Sequence, residues 1–168
     1  GELCKDPERF TLLDVARLIL QGLEALGIAE LYAIVGGSMG GALTWQLAYL
    51  RPHLARHIVP IASDWRASDW LLTQTLIQQQ ILANSSDPLR DARIHAMACY
   101  RTPQSLNARF ASQLDEEGRC YRVESWLRYH GDRLKERFLL SAYGVMTYLT
   151  YSIGVCQEAA ELARIASD

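Results

Sequence analysis

The chain has 168 residues, of which 49% are hydrophobic, 17 are lysine or arginine and 19 are aspartate or glutamate. This length and composition suit one globular domain with a buried core and exclude an intrinsically disordered chain. The cationic residues are scattered, which argues against a nucleic-acid partner. No apolar stretch reaches the about 20 residues of a membrane-spanning helix, and the first letters, GELCKDPERF, contain no signal-peptide core. We therefore expect a soluble, cytoplasmic protein with no membrane partner.

The four cysteines are Cys4, Cys99, Cys120 and Cys156, and they lie far apart in the sequence. No C-x-x-C pair is present, which argues against both a zinc site and a disulfide framework. We expect reduced, structural thiols and no metal.

The first periodic segment, TLLDVARLILQGLEALGI, places its leucine, isoleucine, valine and alanine side chains at helical spacing. Thr11 can cap this helix together with Asp14, and Gly27 suits a left-handed stop. The letters LYAIV follow and are apolar on both faces, which predicts a buried parallel strand.

A second helix is predicted over GALTWQLAYL, ending before Arg51-Pro52, and HIVPIAS predicts a second short buried strand. The order helix, strand, helix, strand is typical of an α/β protein, in which parallel strands are joined by right-handed crossovers and covered by helices. Two strands do not make a stable sheet by themselves, so we expect further strands outside this sequence.

From Asp64 onward the pattern is helical, with breaks predicted at 84–88, Pro103, 117–118, and near Gly131 and Gly154. We divide the chain into a sheet segment over 1–66, an all-helical segment over 67–156 and a last helix over 157–168 that returns to the sheet layer.

One corner of the sheet segment carries a catalytic motif. Gly36-Gly37-Ser38-Met39-Gly40 matches G-x-S-x-G, after a predicted strand and before a predicted helix, which is the context of a nucleophile elbow on an α/β-hydrolase core. The glycines two before and two after Ser38 would let strand and helix pass closely, and the Met39 N–H would stabilise an oxyanion. The alternative, a phosphate-binding loop, lacks both the Lys-Ser/Thr of a P-loop and the spacing G-x-G-x-x-G.

Several separated motifs together resemble one enzyme family. GGSMGG, DWR.SDWLL...IQQQ, HAMACYRTPQSLNARF and YRVESWLRYHGDRLKERF occur in the order found in homoserine O-acetyltransferases, and the resemblance spans about residues 10–151. It implies a partial α/β-hydrolase core with an all-helical lid, and a homodimer formed through that lid. It also implies that Ser38 takes an acetyl group from acetyl-CoA and passes it to the hydroxyl of L-homoserine, a step of methionine biosynthesis, with no further cofactor.

Within that resemblance, Met39 would supply one backbone oxyanion donor, and Arg93 and Tyr100 would bind the amino-acid substrate. The family's triad aspartate and histidine belong to later loops that this sequence does not contain, so the isolated chain is predicted to be inactive. After KERF only Ser141 and Tyr143 match the family pattern. The alternatives left open are an esterase or thioesterase on the same scaffold, a homoserine or serine O-succinyltransferase, and a non-catalytic fragment.

The four histidines are not predicted to replace the missing base. His53 and His57 lie past the helix that follows Ser38, His95 is interpreted as a solvent or interhelix residue, and His130 as a helix C-terminal cap. Asp64 and Asp69 are interpreted as capping residues.

The remaining aromatic and cationic residues have two interpretations each. Trp65, Trp70, Trp126 and the tyrosines of YLTY suit either an acyl or pantetheine slot or a role in lid packing or a dimer interface, of which the second is the more common. Arg66 and Arg101 suit either phosphate contacts to CoA or pairing with carboxylates, of which pairing is the more common.

Overall fold

The computed structural model describes residues 10–154. The predicted helix over 157–168, together with Cys4 and Cys156, lies outside the described residues. In chain order the elements are α1 (Leu12–Ala25), β1 (Leu31–Gly37), α2 (Met39–Leu50), β2 (Ala55–Ile61), α3 (Asp69–Asn84), α4 (Pro88–Cys99), α5 (Pro103–Phe110), α6 (Arg122–Lys135) and α7 (Leu140–Tyr151).

The chain forms two compact units. Among the described residues, a sheet unit comprises 10–72 and 148–154, and a helical unit comprises 73–147. Both α3 and α7 begin in one unit and end in the other, so these boundaries fall inside helices.

The sheet unit begins with the predicted cap. The Asp14 amide donates to Thr11 Oγ1 at 3.3 Å, and the Thr11 amide donates to Asp14 Oδ2 at 3.0 Å, which forms a capping box at the start of α1. Gly27 adopts a φ of 69°, the left-handed conformation expected just after the helix. Both ends of α1 are therefore fixed by local sequence.

The two strands of the sheet unit are parallel, with Ala33 opposite His57 and Gly37 opposite Ile61. Helix α2 packs against both strands, and α1 packs against α2. Near the other end of the described chain, Ser152 Oγ accepts from the Leu12 amide at 2.9 Å and Gly154 O accepts from Gln46 Nε2 at 3.0 Å. The segment after α7 thus belongs to the sheet unit by direct hydrogen bonds.

The prediction that both strands are buried is wrong for this structure. Tyr32 is 74% exposed, Val35 63% and Ile61 53%. The reason is that, among the described elements, each strand has a single neighbouring strand and α2 is the helix packed on both of them. An apolar run predicts a strand that is suited to burial, whereas burial itself depends on what covers the strand.

The helical unit is organised around the crossing of α4 and α6. Gly131 is buried at this crossing, where an added Cβ would lie 2.9 Å from Arg90 Cγ and 3.2 Å from Ile94 Cγ1. Helix α6 continues through Gly131 to Lys135, so the predicted break at Gly131 and the predicted capping role of His130 are both wrong. The glycine serves close packing between the helices instead of termination.

A polar network links three helices of the helical unit. Gln78 of α3 donates to Ala92 O at 3.0 Å and lies 2.9 Å from His95 Nδ1 of α4, and its Oε1 accepts from the Tyr143 hydroxyl of α7 at 3.1 Å. Burial, as the largest cause, raises the pKa of Tyr143 to about 12. His95 therefore lies between helices, which confirms the interhelix interpretation.

No helix within residues 10–154 combines the length and the apolar character needed to cross a bilayer.

Candidate active site

Ser38 occupies a strained corner between β1 and α2. Its φ is 54° and its ψ is −119°, a conformation that a non-glycine residue rarely adopts. The Ser38 amide donates to Ile61 O at 2.8 Å, which ties the corner to the end of β2. Ser38 is exposed and stands at the N-cap position of α2, yet its side chain makes no capping hydrogen bond. The Oγ atom is therefore presented at the carboxyl edge of the sheet and is not used by the helix.

The corner requires glycine at two positions. A Cβ on Gly36 would lie 2.1 Å from Gly40 O and 2.7 Å from Thr44 Oγ1, and a Cβ on Gly41 would lie 2.5 Å from the Ser63 Cβ. A Cβ on Gly40 would meet no atom within 4 Å. The prediction of a close passage two residues before Ser38 is confirmed, whereas on the helix side the tight position is Gly41.

The backbone near Ser38 offers a donor for negative charge. The Met39 amide opens α2 and makes no hydrogen bond to any residue in 10–154. An unpaired amide at a helix N-terminus carries the positive end of the helix dipole. A thioester or ester carbonyl attacked by Ser38 Oγ would find this donor next to the nucleophile, as the motif predicts.

No histidine in the described part of the sheet unit lies in position to activate Ser38. His57 lies on β2 four residues before Ile61, or roughly 13 Å along the strand from the residue opposite Gly37, at about 3.3 Å per residue. Its ring contacts that of Tyr32, with centroids 5.1 Å apart. His53 is exposed in the turn that precedes β2. The packing or surface interpretation of both residues agrees with these positions.

The two predicted capping acids have different roles. Asp64 accepts from the Trp65 amide at 2.8 Å, a local turn bond. The cap of α3 is Ser68, whose Oγ accepts from the Leu71 amide at 3.2 Å, and Asp69 is the first residue of the helix. The capping role of Asp69 is therefore wrong, although a carboxylate in a first turn is favoured by the helix dipole.

The residues predicted to bind the amino acid lie together in the helical unit. Arg93 lies on α4 and Tyr100 directly follows that helix, and the Arg93 Cζ lies 5.6 Å from the centre of the Tyr100 ring. Arg93 is half-buried, whereas Tyr100 is 61% exposed. The pair thus holds a guanidinium against an aromatic face at the C-terminal end of a helix.

The remaining predicted side chains separate into packed and exposed groups. Trp126 packs against Phe110, with ring centroids 5.4 Å apart, whereas Trp70 is 71% exposed. Arg66 and Arg101 make no ion pair within the described residues, so the expected pairing with carboxylates is wrong there. Cys99 and Cys120 are free thiols, and residues 10–154 contain no cluster of three metal-ligating side chains.

Sequence reasoning missed two residues of this site. Ala62, directly after β2, has a φ of 49°, and Ser63 packs its Cβ against Gly41. The small residue Ser63 after the predicted strand was the available signal, since its Cβ lies close to Gly41.

A strand, a strained serine and a helix in G-x-S-x-G spacing are the core of the family whose model, described as the alpha/beta hydrolase fold, matches residues 2–141. The chain belongs to the α/β-hydrolase fold family. The predicted fold class is therefore confirmed.

Within the α/β hydrolases the chain is similar to homoserine O-acetyltransferases, as the motifs indicated. It is 32% identical to that of Trichormus variabilis, over 88% of this chain and 45% of the relative. It is 34% identical to that of Salinibacter ruber, over 82% of this chain and 45% of the relative. The chain thus spans about half the length of the curated relatives it matches.

Solved structures show the same fold. The homoserine O-acetyltransferase of Staphylococcus aureus aligns with a TM-score of 0.78 at 24% identity, covering 97% of this chain and 47% of that one. The acetyl esterase MekB aligns with a TM-score of 0.71 at 17% identity, covering 92% of this chain and 48% of that one.

Proposed function

We propose that the protein is an acyltransferase that moves an acetyl group from acetyl-CoA to the hydroxyl of L-homoserine, a step of methionine biosynthesis, through an acyl-serine on Ser38. The observation that carries the proposal is the strained, exposed Ser38, whose Oγ is not engaged in capping and which stands beside the unpaired Met39 amide. The similarity to homoserine O-acetyltransferases supports the choice of donor and acceptor.

The reaction has two steps. Ser38 Oγ attacks the thioester carbonyl, the serine proton passes through a base to the sulfur, the C–S bond breaks, and CoA leaves as the thiol. The homoserine hydroxyl then attacks the acyl-serine, its proton passes through the base to Ser38 Oγ, and the bond between the acyl carbon and Oγ breaks, which frees Ser38. In each step a tetrahedral oxyanion forms, and one amide donor in the place of Met39 stabilises it by about 2.7–4 kcal/mol.

The amino-acid substrate is assigned to the Arg93 and Tyr100 pair. A guanidinium binds a carboxylate through two parallel N–H donors, and an α-carboxylate is the feature that separates homoserine from a simple alcohol. This pair favours the transferase over an esterase, because water as acceptor needs no carboxylate site.

The test is the acyl-enzyme in the full-length protein. Incubated with acetyl-CoA alone, it is expected to gain one acetyl group on the peptide containing Ser38, and Ser38→Ala is expected to gain none. Ser105→Ala is the matched control, since Ser105 is an exposed serine of the helical unit whose side chain makes no hydrogen bond within the described residues.

Adding L-homoserine distinguishes an acyltransferase from an esterase. Added L-homoserine should discharge the adduct and yield O-acetylhomoserine. Release of free acetate at the same rate with and without homoserine would assign the protein to the esterases, and an adduct that persists in Ser38→Ala would place the nucleophile elsewhere.

We expect a cytoplasmic homodimer formed through the helical segment, to be measured by sedimentation. We also expect that the 168-residue chain alone forms no acyl-enzyme, because His53 and His57 are not placed to act as base.

A further inference from the structure

Two glutamines of α3, one helical turn apart, both contact α4. The Gln78 amide donates to Ala92 O at 3.0 Å and lies 2.9 Å from His95 Nδ1. The Cys99 thiol donates to Gln74 Oε1 at 3.2 Å. We call the two glutamines, together with His95 and Cys99, the glutamine clamp. It fastens α4 to α3 at two levels, in the middle of α4 and at its last residue.

The hydrogen bonds of the glutamine clamp have fixed directions. Ala92 O can only accept, so it determines which end of the Gln78 side chain is the amide nitrogen, and that nitrogen donates to His95 Nδ1. The neutral His95 ring then carries its hydrogen on Nε2, which lies 3.7 Å from Cys99 Sγ. Each side chain of the clamp thus has a fixed role as donor or acceptor, and a shift of α4 along or about its axis would break these pairs.

The glutamine clamp brackets the two residues that are assigned to the amino-acid substrate. Ala92 and His95 flank Arg93 in the sequence, and Cys99 directly precedes Tyr100. On a helix, residues 92, 95 and 99 form one stripe and residues 93 and 100 form the neighbouring stripe. A rotation of α4 that breaks the clamp therefore also moves both substrate residues.

The position of Tyr100 depends on the last turn of α4. Tyr100 stands at the C-cap position, where helices fray, and its side chain is 61% exposed. Its ring must stay near the Arg93 Cζ, at 5.6 Å, if the two side chains are to act on one ligand. The bond from Cys99 to Gln74 holds the residue next to Tyr100 against a neighbouring helix.

We propose that the two glutamines of the clamp are positioning residues of the amino-acid site and hold Arg93 and Tyr100 in one arrangement. The inference rests on the proposed function. Neither glutamine is assigned a contact with substrate; both increase the fraction of molecules in which α4 is ready to bind it. The apparent affinity for the amino acid is proportional to that fraction.

The kinetics of the full-length protein test the proposal. In Gln74→Leu, kcat/KM for L-homoserine should fall about 2- to 10-fold, the change in population that the loss of one hydrogen bond causes. The rate of acyl-enzyme formation from acetyl-CoA alone should stay the same, because that step precedes binding of the amino acid. Gln78→Glu removes the amide donor of the other level at nearly constant volume, and the same split between the two rates is expected.

Gln80→Leu is the matched control. Gln80 is an exposed glutamine of the same helix, and its Oε1 lies 3.4 Å from Asn84 Nδ2, one turn further along α3. Its loss should leave kcat/KM for L-homoserine unchanged. An equal fall in Gln80→Leu and Gln74→Leu would indicate a general loosening of α3 and would overturn the proposal.

The reactivity of the Cys99 thiol reports on the clamp without turnover. Alkylation by iodoacetamide, followed by peptide mass spectrometry, should be slower at Cys99 in saturating L-homoserine, because a ligand that favours the clamped arrangement also stabilises the bond from Cys99 to Gln74. The rate at Cys120, another free thiol, should not change. In Gln74→Leu the protection of Cys99 should be lost, and protection equal to that of the wild type would overturn the proposal.

These measurements separate the positioning role from the proposed function. If acetyl-CoA forms the acyl-enzyme but Gln74→Leu and Gln78→Glu leave kcat/KM for L-homoserine unchanged, the positioning role is wrong and the proposed function stands. If acetyl-CoA forms no acyl-enzyme, but L-homoserine protects Cys99 in the wild type and not in Gln74→Leu, the proposed function is wrong and the positioning role stands.

Discussion

Gly36 is the residue on which the serine corner depends most directly. Its missing Cβ leaves room for Gly40 O and Thr44 Oγ1, two atoms of the helix that carries the Met39 amide. Neither a main-chain oxygen nor a β-branched side chain in a helix can move far. The geometry of Ser38 is therefore set by steric exclusion at a position that takes no part in the chemistry.

Gly36→Ala is expected to destabilise the chain by about 1–3 kcal/mol or more, as an overpacked core does. Gly37→Ala is the matched control, because a Cβ there meets no atom within 4 Å and the residue lacks a positive φ. Urea unfolding followed by circular dichroism measures both variants. Equal free energies of unfolding would contradict the tight passage between β1 and α2.

Arg93→Lys tests the proposed carboxylate site. Lysine keeps the charge and loses the planar fork, so kcat/KM for homoserine should fall ~10- to 100-fold, which corresponds to the about 1.5–3 kcal/mol of a hydrogen bond to a charged group. The rate of acyl-enzyme formation from acetyl-CoA alone should stay the same. A fall in that first rate instead would assign Arg93 to the donor.

Among the elements, α1 shows how local sequence fixes a helix end. Thr11 Oγ1 donates to Asp14 Oδ2 at 2.7 Å, and this bond together with that of the Thr11 amide holds the pKa of Asp14 below its ordinary value. The carboxylate is therefore more strongly favoured in the folded chain than in the unfolded chain.

The capping box predicts a pH dependence of a known sign. A lowered pKa in the folded state contributes stability that is present above the unfolded pKa of about 3.9 and is lost as the pH falls through the folded value. The difference in free energy of unfolding between wild type and Asp14→Ala should therefore shrink from pH 7 toward pH 3. Chemical denaturation at several pH values measures it, and a difference independent of pH would mean that Asp14 acts by packing alone.

Local sequence predicted some elements better than others. The start of α1, the serine corner and the starts of α4 and α5 follow from Thr11, Gly36, Pro88 and Pro103, whose effects are confined to a few neighbouring residues. The break predicted at Gly131 was wrong because the sequence alone does not distinguish a glycine that allows close helix packing from one that ends a helix. The residues that pack against Gly131 are Arg90 and Ile94, which lie about 40 positions away in the sequence.

The exposure of the strands could not be predicted from the sequence for the same reason. Burial of Val35 depends on which elements cover its strand, and those elements lie elsewhere in the sequence. The Ser38 motif was readable because all its parts lie within five consecutive residues.

For the molecule as a whole, the polar network of the helical unit makes stability depend on pH. Gln78 Nε2 donates to Ala92 O, and its Oε1 is occupied by the Tyr143 hydroxyl, so its amide faces His95 Nδ1 as a donor. This arrangement requires an unprotonated Nδ1. Burial lowers the pKa of His95, in agreement with a neutral ring.

His95 is therefore expected to weaken the fold in acid. With a folded pKa below the unfolded value of about 6.5, the unfolded chain binds more protons, and the free energy of unfolding decreases as the pH falls below about 6.5. Denaturation at pH 7.5 and pH 5.5 should show a smaller loss for His95→Gln than for wild type. An equal loss in both would assign the acid sensitivity to other groups such as His130.

Tyr143→Phe tests the same network at constant pH. The substitution keeps the ring in the core beside Leu89 and Ala92 and removes the hydroxyl bond to Gln78. We expect a loss of about 0.5–1.5 kcal/mol in the free energy of unfolding, the usual net contribution of one hydrogen bond. Tyr129→Phe, at an exposed ring of α6, is the control and should have little effect.

Pro60 makes the two outer edges of the described sheet unequal. Ile61 turns its carbonyl toward β1, so the nitrogen of Pro60, one residue earlier, faces away from β1 and has no hydrogen to donate. A strand arriving along β2 would meet a gap in the ladder of donors, whereas β1 offers an unbroken row.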